Sequence, residues 1–326
     1  MNQLLKLFES INVENESECI FTKKLSQSSI YRVGKDKEGL PYFLISIDIK
    51  KSSRSLLPIS LQNLSVVHDV YCKIFEKNEF EDYFTIIKCT SLDQLLHQYF
   101  FEIILSLLRV IKEQPSEEEI NLFIRKIVDL FICIDEEPKK SVQGLWAELF
   151  LINESLDKRL LISSWHEIPS NIFDFQNSST NLEVKSTLSN FRRHSFNYEQ
   201  LKPDPFRQSF VISILMKENS RGTNIRELIE AIRKSLKGDS NSIIKVDQII
   251  YSSVGKNWQH IDSFKFDIEF SKKSTKIYSI VDIPCIQHNI PNELSKIRFD
   301  CDLSNIKPIS PSLKNKDELL KVISVL

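Results

Sequence analysis

No two cysteines in this chain stand in C-x-x-C spacing, neither sign of charge prevails, and no apolar run is long enough to cross a bilayer. The six cysteines, Cys19, Cys72, Cys89, Cys133, Cys285 and Cys301, are scattered and mostly sit inside apolar runs. They read as buried thiols of a reducing cytoplasm, not as a disulfide framework. The histidines are equally dispersed, which removes the paired spacing that a structural zinc site needs. With 43 Lys and Arg against 44 Asp and Glu there is no basic excess, so any nucleic-acid surface has to be local. The most apolar helical stretch, Tyr99 to Leu108, carries Glu102 and runs into Arg109. No leading segment joins a basic start, an apolar stretch and a small-residue cleavage site. The expectation is a soluble, cytoplasmic protein with no membrane partner. Only six glycines are present among abundant Ile, Asn, Lys and Ser, a background composition that excludes no function.

What is there begins with strands. At 326 residues the natural expectation is two domains. Up to about residue 90, β-branched and aromatic runs predict strands at Ile30 to Val33, Tyr42 to Ile49, Val66 to Phe75 and Tyr83 to Cys89, with a turn from Gly34 to Pro41. From Leu92 the period becomes helical through Leu95, Leu96, Phe100, Ile103, Leu107 and Val110, ending near Pro115. A second helix opens with Ser116 and Glu119 in capping-box spacing and ends before Pro138. These boundaries give a β-rich N-terminal domain (1–90), a helical hairpin (91–138) and a C-terminal domain (139–326).

The C-terminal domain starts with a helix from Val142 to Leu156, in which Glu148 lies beside the apolar stripe Leu145, Leu149 and Ile152. An irregular stretch around Trp165 to Pro169 leads to two short strands, one centred on Asp174 and one from Leu182 to Thr187, joined by an Asn- and Ser-rich turn. Phe206 to Met216 is apolar on both faces, as a buried central strand is. Thr223 is placed to cap a helix striped by Ile225, Leu228, Ile229, Ile232 and Leu236, with Gly238 past its end. Ile243 to Ser252 fits helix or strand. Phe264, Phe266, Ile268 and Phe270 alternate as a strand, as do Ile297, Phe299, Cys301 and Leu303. Trp146, Trp165 and Trp258 read as core aromatics.

Chemistry gathers at the two short strands. Residues two apart in a strand share a face, so Glu183 and Lys185 project together while Leu182 and Val184 turn the other way. Phe173 and Phe175 flank Asp174 in the same manner. A hairpin would set the Asp174 carboxylate beside Glu183, with the Lys185 ammonium one step along. Paired carboxylates repel one another unless a cation lies between them, and hard oxygen ligands select Mg²⁺ or Mn²⁺. Taken by alternation alone, Glu183 and Lys185 read as a solvated strand face, and Glu148 is equally a surface helix carboxylate. Arg192, Arg193 and His194, followed by Lys202 and Arg207, place cationic groups near the hairpin, where they are candidate DNA phosphate contacts or plain loop residues.

Asp174, then eight residues, then Glu183-Val184-Lys185 resembles the D-x(n)-(D/E)-x-K signature of the PD-(D/E)XK nuclease superfamily. The element order is similar to that superfamily's α-β-β-β-α-β core, a mixed sheet flanked by helices. Gly144-Leu145-Trp146-Ala147-Glu148-Leu149, Phe173-Asp174-Phe175, Glu183-Val184-Lys185-Ser186-Thr187 and Tyr198-Glu199-Gln200-Leu201 look like a bacterial family of PD-(D/E)XK motif proteins associated with restriction or phage-defence gene clusters. That likeness covers roughly the chain from residue 140 onward. Ile172 and Phe173 stand where the literal motif has proline before its aspartate.

The resemblance implies a metal-dependent DNA endonuclease. Asp174 and Glu183 would ligate Mg²⁺ or Mn²⁺, Val184 would lend its carbonyl, and Glu148 would support the metal or its water. Lys185 would serve the nucleophile and the transition state, with Gln200 positioning the lysine or the phosphate. The implied partners are double-stranded DNA and, in a defence cluster, ATPase or methyltransferase subunits, with a homodimer supplying one site for each strand. The rival readings are a non-catalytic subunit that keeps the fold for DNA or protein binding, and a metal-dependent enzyme acting on RNA.

Overall fold

A computed structural model of the chain describes residues 3–13, 19–26, 29–47, 57–74, 80–112, 114–135, 140–166, 171–236, 239–255, 260–286, 291, 294 and 296–324. It is a mixed α/β protein that divides into two compact units, Met1–Glu136 and Glu137–Leu326. No helix among the described residues is long and apolar enough to cross a membrane.

The first unit runs α1 (Gln3–Glu9), β1 (Phe21–Lys24), β2 (Tyr31–Lys35), β3 (Pro41–Ile47), β4 (Ile59–Ser60), β5 (Leu64–Ile74), β6 (Phe80–Cys89), α2 (Gln94–Leu108) and α3 (Glu117–Asp135). Its strands form one antiparallel sheet in the order β1-β2-β3-β6-β5-β4. β3 is central because its side chains are apolar on both faces. Phe43 packs on Tyr31 and on Phe123 of α3, with ring centres 5.6 and 6.0 Å away. Tyr42 and Leu44 join Phe84 and Ile86 on the other side. Gly34, expected to open a turn, is inside β2 opposite Tyr42. The turn is made at Gly39, whose φ of 81° suits a residue without Cβ. α3 is capped reciprocally, the Glu119 amide donating to Ser116 Oγ and the Ser116 amide to the Glu119 carboxylate. Both α2 and α3 fall within this unit.

The second unit runs α4 (Val142–Asn153), α5 (Lys158–Ser164), β7 (Phe175–Gln176), β8 (Thr180–Thr187), β9 (Arg193–Asn197), β10 (Gln208–Leu215), β11 (Glu218–Thr223), α6 (Ile225–Ser235), α7 (Ser240–Val254), α8 (Ile268–Ser274), β12 (Lys276–Ser279), β13 (Arg298–Asp302) and α9 (Pro311–Lys314). A four-stranded sheet has the order β12-β10-β8-β7. β10 and β8 are parallel over eight residue pairs, and β12 and β7 are the antiparallel edges. β10 is buried from Ser209 to Ile214, as a strand covered on both faces must be. β9 leaves this sheet and pairs with β13 over a separate apolar cluster containing Phe196, Leu201, Tyr278 and Leu303. α4 is buried all round from Leu145 to Ile152, and Trp146 stacks on Phe150 while its indole N–H donates to Thr223 O at 2.8 Å.

Three expectations need correction here. Phe264 to Phe270 is not a strand: Asp267 accepts the Phe270 amide and starts α8, while Phe266 makes only isolated bridges to Glu218 and Thr223. The edge strand is β12, six residues beyond Phe270 at its start. The cap of α6 is Asn224 with Glu227, not Thr223. α5 precedes the irregular stretch expected from Trp165 to Pro169, of which 167–169 lie outside the described residues. Cys19 is exposed, Cys89 is buried, and the other four are half-buried, so burial of the thiols is only partial; none of the six is in a disulfide. Ile243 to Ser252 is helical, within α7. Gly238 and Trp258 lie outside the described residues.

Candidate active site

The motif residues are brought together by the ends of α4, α5 and β8. Ser141 caps α4 by accepting the Gly144 amide, which fixes the helix two turns below Glu148. Glu148 faces inward and is 3% exposed. α5 ends at Trp165, which bridges to Phe175, and the His166 amide donates to Asp174 O at 3.1 Å. Phe173 and Phe175 are buried on either side, so the backbone of Asp174 has little freedom. Asp174 itself precedes the two-residue β7 and is not a strand residue.

β8 supplies the rest. Its Val184 amide donates to Asp174 Oδ2 at 2.9 Å, locking the aspartate against the strand between Glu183 and Lys185. In a strand a residue's N–H and C=O leave on the same side. The Val184 carbonyl is therefore turned toward Asp174 as well. Lys185 Nζ lies 2.8 Å from Glu183 Oε1 and 5.2 Å from the centre of the Phe196 ring.

Gln200 ties this pair to the following segment. Its side-chain amide donates to Glu183 Oε1 at 2.7 Å and to Ile172 O at 3.1 Å. Its oxygen accepts from Lys185 Nζ at 3.2 Å and from the Asn197 amide at 3.0 Å. The side chain is buried and its hydrogen-bonding capacity is filled, so it orients both the acid and the lysine.

Two participants were absent from the sequence reading. Lys140 Nζ lies 2.5 and 2.6 Å from the two Glu148 oxygens and 2.8 Å from Asp174 Oδ1. The Trp165 indole donates to Glu148 Oε2 at 2.6 Å. Lys140 stands eight residues before Glu148 and carries no motif, so only the fold reveals it. Trp165 is core, as expected, but its one polar atom serves the site.

The electrostatics follow from burial. Glu148 is pushed up to about 7, first by loss of water and then by the Asp174 charge, against the pull of Lys140 and the Trp165 hydrogen bond. Glu183 is pushed up to about 8 by burial and Asp174, against Lys185 and Lys140. Burial opposes the charge of Lys140, yet Glu148 and Asp174 outweigh it and hold this ammonium above the ordinary lysine range. Asp174 thus presses on both glutamates, as carboxylates crowded around one position do.

Among the described residues no three acidic, His or Cys side chains form a ready-made metal shell. Magnesium sites commonly use only one or two carboxylates, with water and substrate phosphate filling the remainder. The donor set here is all oxygen, and an ammonium already spans Glu148 and Asp174. The residues therefore fit a hard divalent cation.

The cationic candidates separate. Arg192 and His194 are interior and are corrected as DNA contacts: they are 5% and 4% exposed. The Arg192 guanidinium donates to Ser213 O at 2.8 Å, to Ser213 Oγ at 2.9 Å and to Ser274 O, and His194 Nε2 is 2.7 Å from Ser213 Oγ. Arg207 is half-buried and holds Asn177 O at 3.0 Å and Asp204 at 3.4 Å. Arg193 and Lys202 are exposed.

No solved structure and no functionally curated protein matches the chain. A family model described as "Putative PD-(D/E)XK family member (DUF4420)" matches residues 4–304 and so takes in the first unit along with the second. The carboxylate and lysine geometry of the second unit and this match over most of the sequence agree, and the chain belongs to that PD-(D/E)XK family.

Proposed function

We infer that the second unit is a divalent-metal-dependent nuclease that hydrolyses DNA phosphodiester bonds, working in a restriction or phage-defence setting. The observation that carries this reading is the meeting of Asp174, Glu183 and Lys185 around the Val184 amide, with Asp174 and Lys185 retaining 15% and 19% side-chain exposure. A purely structural cluster has no need of this partial access. Membership of the PD-(D/E)XK family supports hydrolysis of nucleic acid over other phosphoester chemistry.

Asp174, Glu183 and the Val184 carbonyl would hold the cation, with Glu148 supporting it or its water. When bound, Mg²⁺ or Mn²⁺ lowers the pKa of water and neutralises charge developing on the phosphate. Lys185, oriented by Gln200, is the chain's own positive group for holding the attacking water and meeting that charge. Arg193 and Lys202 are the exposed cations of the β9 segment that would meet the DNA backbone. A homodimer would supply one site to each strand, and ATPase or methyltransferase subunits are the partners such a setting would add.

The test is cleavage of supercoiled plasmid and of a matched RNA duplex by the purified full chain with Mg²⁺ or Mn²⁺, beside Lys185→Ala. The wild type is expected to nick and linearise DNA, and the variant to be slower by about 100-fold or more while melting at a similar temperature. Equal cleavage by both removes Lys185 from the mechanism. Cleavage of RNA alone reassigns the substrate, and metal binding without any cleavage favours a non-catalytic binding subunit.

A further inference from the structure

We propose that the Lys140 ammonium is a resident cation of the acidic cluster, which a divalent ion has to displace before it binds, so that Lys140 sets the metal affinity of the site. This rests on the reading of the cluster as a metal centre. Three oxygens from two carboxylates surround Nζ at 2.5, 2.6 and 2.8 Å, which uses all three ammonium donors. Magnesium takes oxygen ligands at roughly 2.0–2.1 Å. A divalent ion reaching these same oxygens would sit at hydrogen-bonding range from a like charge, so the two cations exclude each other.

The carboxylates are the fixed partners. Glu148 stands on a helix buried on every side, and Oε2 also receives the Trp165 indole. Asp174 Oδ2 is held by the Val184 amide between two buried phenylalanines. Lys140 is the mobile partner. It precedes the α4 cap, its side chain is 28% exposed, and its stem is long and unbranched. Its backbone amide donates to Ser253 O at 3.2 Å, so the side chain can swing outward while the main chain stays in place.

Net stability explains this lysine poorly, because a buried ion pair is often no better than apolar residues of the same volume, even though removing the lysine alone leaves buried carboxylates unpaired and is costly. Its position explains it better. Lys185 pairs with Glu183, and Lys140 is shared by the other two carboxylates until metal arrives. Apparent metal affinity is then reduced by the fraction of molecules in which the lysine has swung out.

The experiment titrates Mn²⁺ alone into full-length wild type, Lys140→Met, Lys140→Gln and Lys140→Arg, read by calorimetry and electron paramagnetic resonance, with no nucleic acid present. Lys140→Met and Lys140→Gln are expected to bind Mn²⁺ about tenfold more tightly or better, and Lys140→Arg to stay near the wild type. The metal-free uncharged variants melt lower than the wild type and gain more from Mn²⁺. Unchanged or weaker Mn²⁺ affinity in whichever uncharged variant folds by circular dichroism overturns the proposal, as does a wild type and variant that both fail to bind. Cleavage on the same preparations reads the nuclease assignment separately: tighter Mn²⁺ binding without cleavage sinks that assignment alone, and cleavage with unaltered affinity sinks this one alone.

Discussion

His194 is nearly sealed from water, and its ring nitrogen meets the Ser213 hydroxyl. Burial first, then the charges of Lys185 and Arg192, push its pKa down to about 4. An unfolded imidazole takes its proton near pH 6.5, whereas the folded one waits until about pH 4. Across that window the unfolded chain binds more protons, so this residue's contribution to stability is lost as pH falls. The urea-unfolding free energy of the wild type relative to His194→Gln is therefore expected to shrink below pH 6.5, by about 3 kcal/mol at pH 4. A difference that stays constant from pH 7.5 to 4 would show that the ring takes its proton in the fold as readily as in the unfolded chain. The burial of Arg192 and His194 was legible in retrospect, since Arg192, His194 and Phe196 alternate with the exposed Arg193 and Ser195 as the two faces of β9 demand. Nearness to the hairpin points instead to phosphate contacts, with a solvated loop as the plain alternative. The grouping of Asp174 with Glu183 and Lys185 was visible because motif spacing is a local property, and Gln200 entered only through the resemblance to a family motif. Lys140 was not visible, because its partners come from α4 and from the segment before β7, and no periodicity links them.

At the scale of elements, local capping chemistry decided the boundaries that hydrophobic patterning left open. Asn224 accepts the Glu227 amide at 2.9 Å while Glu227 returns a bond to the Asn224 amide at 2.9 Å, closing two of the orphan groups of α6. Thr223 contributes its carbonyl to Trp146 and no cap, which makes the two positions separable by mutation. Asn224→Ala is expected to cost about 1 kcal/mol in denaturant unfolding. Thr223→Ala is expected to stay within about 0.5 kcal/mol, as substitutions away from such features do. Equal losses would place the cap elsewhere. α6 packs on α4, the helix bearing Glu148, so this cap also supports the site from behind. The same physics explains the misread strand. Phe264, Phe266, Ile268 and Phe270 do alternate, but the Asp267 carboxylate captures the Phe270 amide and turns the chain into α8. Gly222 then lets β11 come close to Phe266, since a Cβ there would lie 2.5 Å from the Phe266 carbonyl oxygen. The long strands and the two amphipathic helices of the first unit were legible because their patterns run for many residues. Short elements such as α5 and β7 offer too few residues to establish a period.

For the whole molecule, charge balance constrains how DNA would be held. The 43 basic and 44 acidic side chains leave no general attraction for a polyanion, and several cations around the site are already spent on internal partners. Lys140 and Lys185 face carboxylates, Arg192 is interior, and Arg207 holds a carbonyl and Asp204. Arg193 and Lys202 remain exposed on the segment around Gln200. Each phosphate neutralised by a cation adds about 0.9 to the slope of log affinity against log salt on duplex DNA. Full-length protein titrated with a fluorescent duplex over a salt series, in Ca²⁺ to suppress turnover, is expected to show a shallow slope for its size. The Arg193→Ala, Lys202→Ala double variant is expected to lower that slope by about 2. Arg207→Ala should loosen the β7–β8 turn and leave the slope almost unaltered, because its guanidinium faces the protein. If the double variant keeps the full slope, the phosphate contacts lie elsewhere on the chain. The first unit would then be the surface to mutate next, since the family match extends across it as well.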